Sequence, residues 1–216
     1  MEQTTPITAE KIAVLQNRII RLWHEKENEI HSWSEAVGTC DVPEGEPDSF
    51  ILDLALINTF QWHEEDKARM VGVTDQFLGE VKRSIDCSNQ RRTDKIEELD
   101  AWLVGWLRNA LIQPDVEVPI NSETPGSIID RLSILRLKIY HMDQEAVRKD
   151  ATKAHIEKCR AKLTVLYEQE RDLDRCFEYL LYELINMTKR LKIYFQFKMY
   201  NDPDTNPAVY RNKQPV

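Results

Sequence analysis

The stretch Asp48-Ser-Phe-Ile-Leu-Asp-Leu-Ala-Leu-Ile-Asn-Thr-Phe-Gln-Trp-His-Glu-Glu-Asp-Lys-Ala-Arg-Met70 decides the fold class. At helical spacing, Ile51, Leu54, Ala55, Asn58, Trp62, Glu65 and Arg69 share one face, and Asp48 or Ser49 stands ready as a cap. Two further stretches repeat the pattern. Ile85, Asn89, Arg92, Ile96, Leu99, Leu103 and Trp106 form one stripe, and Ile156, Cys159, Leu163, Leu166, Glu170, Leu173 and Phe177 form another. Asn, Arg and Glu among Ile, Leu and Trp are costly to bury unless they satisfy one another or a ligand. The three stripes therefore predict a polar centre inside a helical body.

Working outward, the spacing predicts a first helix over about Thr8 to Trp33, followed by a Gly- and Pro-rich loop from Gly38 to Asp48. After the Asp48–Met70 helix, Gly72 and Thr74-Asp75 mark a kink or cap before a helical stretch reaching about Ile112. Thr124 and Pro125 open a helix reaching about Glu145, and Asp150 opens a very long one toward Tyr200, stopped by Asn201 to Pro207. No solid internal repeat is present. The expectation is an all-α antiparallel helical bundle with long helices and few short loops, residues 1–207 forming one domain and 208–216 a weakly ordered tail.

Composition narrows the functions. The 216 residues carry a net charge of −8, against the clustered cationic charge that nucleic-acid binding needs. The apolar stretches are interrupted by charges such as Asp100 and Arg108, so no transmembrane segment is expected, and Met1 to Glu10 does not resemble a signal peptide. Cys40, Cys87, Cys159 and Cys176 show no metal-ligand spacing and read as reduced thiols. The expected location is the cytoplasm.

The densest chemical constellation is Asn58-x-x-x-Trp62-His63-Glu64-Glu65-Asp66-x-x-Arg69. Arg69 could hold a phosphate while Glu65, Asp66 or His63 carries a proton. The bland alternative is a Glu65–Arg69 pair on a solvated helix face. Arg91 and Arg92, beside Asn89, could grip an anion, or Arg92 could neutralise Glu65, Asp66 or Glu170 from another helix. The turn Asn121 to Arg131 could attract an anion to a helix start, with Glu123 and Asp130 more simply acting as cap and dipole partners. Ile128, Leu132, Leu135, Ile139 and Met142 beyond it read as packing alone. Lys189 to Tyr200 interleaves bases with aromatics and reads as packing with its lysines in water. His63 with Asp66, and the acidic pairs Glu25/Glu29 and Glu97/Asp100, are the only hints of a metal; no metal ligand is assigned and no cofactor is identified.

Trp62-His-Glu-Glu-Asp-Lys-Ala-Arg69, Ser122-Glu-Thr-Pro-Gly-Ser-Ile-Ile-Asp-Arg-Leu-Ser-Ile-Leu135 and Gln196-Phe-Lys-Met-Tyr-Asn-Asp-Pro203 with Asn206-Pro207 together resemble a bacterial family catalogued as a domain of unknown function (family number 4254). The resemblance spans nearly the whole chain. It implies a bacterial helical protein whose genes lie near those for surface-glycan assembly, and it assigns no catalytic residue.

Three functions are consistent with this reading. The preferred one is a binding protein or enzyme for a phosphorylated sugar or nucleotide sugar. Arg69, Arg92 and Arg131 would hold the anion, Asn58, Asn89, Asp130 and Glu170 would complete the site, and Glu65, Asp66 or His63 would move protons. The second is a non-catalytic interaction or scaffold protein, possible as a homodimer, whose polar residues form a closed network. The third is a divalent-metal nucleotide hydrolase.

Overall fold

The computed structural model describes residues 5–42, 45–197, 199 and 202–211. Seven α-helices are present among the described residues: α1 (Ala9–Glu25), α2 (Trp33–Cys40), α3 (Asp48–Lys67), α4 (Asp75–Asn109), α5 (Pro125–Ala146), α6 (Lys153–Ile185) and the short α7 (Pro207–Tyr210). Among the described residues there is no strand, only an isolated bridge between Ile120 and Arg190. The all-α bundle is therefore correct.

Threonine starts four of these helices. The hydroxyls of Thr8, Thr74, Thr124 and Thr152 each accept the N–H three residues on, at the heads of α1, α4, α5 and α6. Thr74 and Thr124 were legible as caps. The first helix is shorter than its spacing predicts, because a 3-10 turn at Glu27–Glu29 breaks it before α2. Ser32 opens α2 by accepting the Glu35 N–H, while the Glu35 carboxylate takes the His31 N–H at 2.8 Å. Ser-x-x-Glu is the sequence signature of such a start, and it places Gly38 to Cys40 in a helix instead of the expected loop.

The long last helix also ends early, at Ile185. Met187 takes a left-handed φ of 57°, and Arg190 then exchanges backbone hydrogen bonds with Pro119 and Asn121 at 3.0 and 3.1 Å. Tertiary pairing with the α4–α5 connection thus overrides the helical pattern that runs on toward Tyr200.

Two helices are central. Nine of the ten α3 positions from Ile51 to Phe60 are buried, and α5 buries residues around most of its circumference, including Ile128, Ile129, Leu132, Leu135 and Leu137. A helix apolar all round is one enclosed by others. The main core joins Ile12 of α1, Ile51 and Leu54 of α3, Leu99 and Leu103 of α4, Leu132 of α5 and Phe177 of α6. Each such side chain contributes about 1.5–3 kcal/mol through burial. A second cluster packs Ile19 and Trp23 of α1 and Ala36 of α2 against Leu52, Leu56 and Phe60 of α3. α5 and α6 turn back on each other and close their far end over Ala146, Cys159 and Leu163. No described helix is long and apolar enough to cross a membrane.

Candidate functional site

Polar side chains from separate helices do meet in the interior, but as two networks built on α5 instead of one centre. In the first, Asp130, 4 % exposed, accepts Asn58 Nδ2 of α3 at 2.9 Å and Arg92 Nε and Nη2 of α4 at 2.8 and 2.5 Å. This bidentate pair joins three helices, and the Asp130 carboxylate holds the Arg92 guanidinium above its ordinary pKa. Beside it, Gln61 donates to Asn89 Oδ1 at 2.9 Å.

The second network surrounds Arg136, 2 % exposed. Its Nε and Nη2 reach Glu170 and Asp174 of α6, both at 2.8 Å, and Nη1 reaches Gln16 Oε1 of α1 at 2.7 Å. Gln16 Nε2 in turn donates to the Ile129 carbonyl. Sequence reasoning missed Arg136, Gln16 and Asp174. Arg136 lies between Leu135 and Leu137 in a helix read as packing, and a stripe count does not register a charge flanked by leucines.

These pairings correct several expectations. Arg92 neutralises Asp130, not Glu65, Asp66 or Glu170, and Glu170 belongs to Arg136. Arg131, expected to hold an anion, is an exposed residue paired with Glu123. Arg91 leaves Arg92 and lies over the Trp33 ring, 4.7 Å from its centroid. The anion at the start of α5 is neither Glu123 nor Asp130 but Asp100 of α4, whose Oδ1 accepts the Gly126 N–H at 2.8 Å. Of the acidic pairs, Glu97 accepts the Gln196 N–H and Glu29 pairs with Lys26.

A cleft of about 410 Å³ opens beside the first network. Asn58, Gln61, Trp62, Asp66, Arg69 and Arg92 give it polar and aromatic groups, and Ile134 and Leu137 an apolar wall. Glu65 also lines it, and its carboxylate accepts from Arg69 at 2.9 Å. Arg69 is two-thirds exposed, so this bond is the solvated pair foreseen as the bland alternative. Desolvation raises the Asp66 carboxyl above its ordinary pKa, against the pull of Arg69.

His63 turns to the other side of α3. There it meets His24 of α1 and His141 of α5, with ring centroids 5.0–5.7 Å apart. Trp23 stacks on His63 at 5.2 Å and Trp62 on His141 at 4.8 Å, both nearly parallel. One ring nitrogen from each histidine lies within 4.8 Å of the others; among the described residues no other three His, Cys, Asp or Glu side chains come together in this way. Burial pushes His63 and His141 down to about 4, helped by their histidine neighbours, so both rings are neutral at pH 7. A second cleft, of about 370 Å³, is lined by Glu27, His31, His63 and Lys67, and Asp66 borders both clefts. His24 and His141 were not singled out from sequence: three histidines from three distant elements carry no spacing signal.

No curated protein and no solved structure matches the chain. The family described as "Protein of unknown function (DUF4254)" matches residues 48–193. That segment carries α3 to α6, every residue lining the 410 Å³ cleft and more than half of the 216 positions, and on that match the chain belongs to this family.

Proposed function

We propose that the cleft between α3, α4 and α5 binds a phosphorylated sugar or nucleotide sugar, as a binding protein or enzyme of bacterial envelope-polysaccharide synthesis. The observation that carries this reading is that Arg69 and Arg92 border one cavity together with the amides of Asn58 and Gln61, the Trp62 indole and the Asp66 carboxyl. Its volume falls in the range of small-molecule sites, and its mixture of apolar wall and few polar groups suits a sugar bearing phosphate. Arg69 exchanges its exposed bond to Glu65 for the phosphate, a stronger charge-assisted contact once shielded from water. Arg92, already oriented by Asp130, has a side chain that is 29 % exposed and offers the remaining edge of its guanidinium. Trp62 supplies apolar surface for the sugar ring, and Asp66, with its raised pKa, is the preferred proton carrier in an enzymatic version. The resemblance to a family encoded near surface-glycan genes supplies the substrate class.

A thermal-shift panel of sugar phosphates and nucleotide sugars tests the proposal. At 100-fold excess over Kd, a true ligand raises Tm by about 5–10 °C for a chain of this size. Arg69→Ala, a change at an exposed position, abolishes the shift and leaves the unliganded Tm within about 1–2 °C of the wild type. Uniform silence across the panel overturns the reading.

One observation favours a second reading, in which the chain is a non-catalytic interaction or scaffold protein. The buried charges Asp130 and Arg136 are closed onto partners within the protein, as expected of a network that fixes helix register. Under that reading the panel is silent and the networks matter for stability alone.

A further inference from the structure

We propose that His24, His63 and His141 form a binding site for one divalent transition-metal ion, with Zn2+ as the best-suited occupant. The Nε2 atom of all three is buried and has no hydrogen-bond partner among the described residues. A single orphaned imidazole nitrogen is a packing accident; three in one place share a missing partner. The remaining nitrogens are partly accounted for. His24 Nδ1 lies 2.6 Å from the Ile20 carbonyl, which fixes that nitrogen as the N–H and leaves Nε2 with its lone pair. His63 Nδ1 faces Glu27 Oε1 at 3.7 Å, too far for a hydrogen bond but close enough for the carboxylate to close on the ring when Nε2 takes up a metal.

The ring planes are set for convergence. They cross at 59–70°, so the three imidazoles radiate from a shared centre instead of stacking on one another. Trp23 and Trp62 clamp two of them from their outer faces. Tetrahedral Zn2+ with Zn–N of about 2.0 Å brings ligand nitrogens to about 3.3 Å from one another. Reaching that from 4.8 Å or less takes a movement of about 1 Å or less per ring. An all-imidazole set favours zinc, copper or nickel over magnesium or calcium. Three protein ligands leave a fourth position for water or a ligand oxygen, and of the three His63 also lines the adjoining cleft with Glu27 and Asp66.

The test uses the full chain without an affinity tag, stripped with EDTA and titrated with ZnCl2 by calorimetry, alongside a Co2+ titration read in the visible spectrum. One Zn2+ per chain is expected, with a Kd in the micromolar range or tighter. The Co2+ form should show intense ligand-field bands of tetrahedral nitrogen and oxygen coordination. His141→Ala and His24→Ala should each weaken Zn2+ by about 100-fold or more, and His155→Ala should leave it unchanged. If the first two variants fail to fold by circular dichroism, the wild-type stoichiometry and Co2+ spectrum decide. Absence of stoichiometric binding, unchanged affinity in a folded His141→Ala, or a sulfur-to-cobalt charge-transfer band marking Cys159 beside His155 as the ligand would each overturn the proposal.

Discussion

At Asp130 three hydrogen bonds from two helices converge on one carboxylate, and the energetics of the cleft turn on that group. Arg92→Ala leaves Asp130 buried and charged with only Asn58 for company, a loss of about 3–5 kcal/mol in unfolding free energy. Asp130→Asn on the Arg92→Ala background removes the stranded charge and recovers part of the loss, giving a coupling energy of about 1–3 kcal/mol in a denaturant double-mutant cycle. Arg92→Ala and Glu170→Ala, by contrast, share no partner and should add to within about 0.5 kcal/mol. Additivity would be incompatible with the single centre that the sequence suggests. Asn58 and Arg92 were legible because each interrupts an apolar stripe. Their common partner Asp130 was named as a helix-start residue and as part of the ligand site but not as the partner of Arg92, since its position on the neighbouring helix depends on how two rods are rotated about their axes. Periodicity along one segment contains no information about that rotation.

Between elements, the α4–α5 crossing is set by Gly126. A Cβ there would lie 2.8 Å from Asp100 Oδ1 and 2.9 Å from the Ile96 carbonyl, the latter part of a helical backbone that cannot swing aside. The helices approach this closely because the position has no side chain. Gly126→Ala is therefore expected to cost about 1–3 kcal/mol, seen as a lower denaturant midpoint with an unchanged slope. Ser122-Glu-Thr-Pro-Gly marked this turn as a helix start, and Thr124 does cap it, but the requirement for glycine comes from a neighbour and not from the turn. The same distinction explains the element boundaries. Caps act within a few residues, and Thr74 and Thr124 were readable, although α3 starts behind Pro47 without the side-chain cap expected of Asp48 or Ser49. The end of α6 at Ile185 follows instead from a distant backbone pairing with Pro119 and Asn121.

For the molecule as a whole, Asp100 makes stability depend on pH. Burial pushes its carboxyl up to about 6 from an ordinary 3.8, despite hydrogen bonds from Thr124 and Gly126. The folded state thus favours the protonated acid. Its contribution is fully present below pH 3.8 and is lost as pH rises through 6. Asp100→Asn removes the titration, so its stability relative to the wild type should rise by about 2 kcal/mol between about pH 4 and 7, measured by urea unfolding at each pH. A flat difference across that window would mean that the carboxyl is solvated.

The matched segment begins at residue 48, yet α1 lies before it and reaches into the Arg136 network and the histidine cluster. Gln16 completes the coordination of Arg136, and His24 is one corner of the imidazole triangle. Taken alone, the matched segment thus holds an unfinished interior, a lock whose last two tumblers are cut on a separate rod. An engineered exchange of the leading helix would therefore remove both contacts from the middle of the protein while leaving the matched segment letter for letter the same.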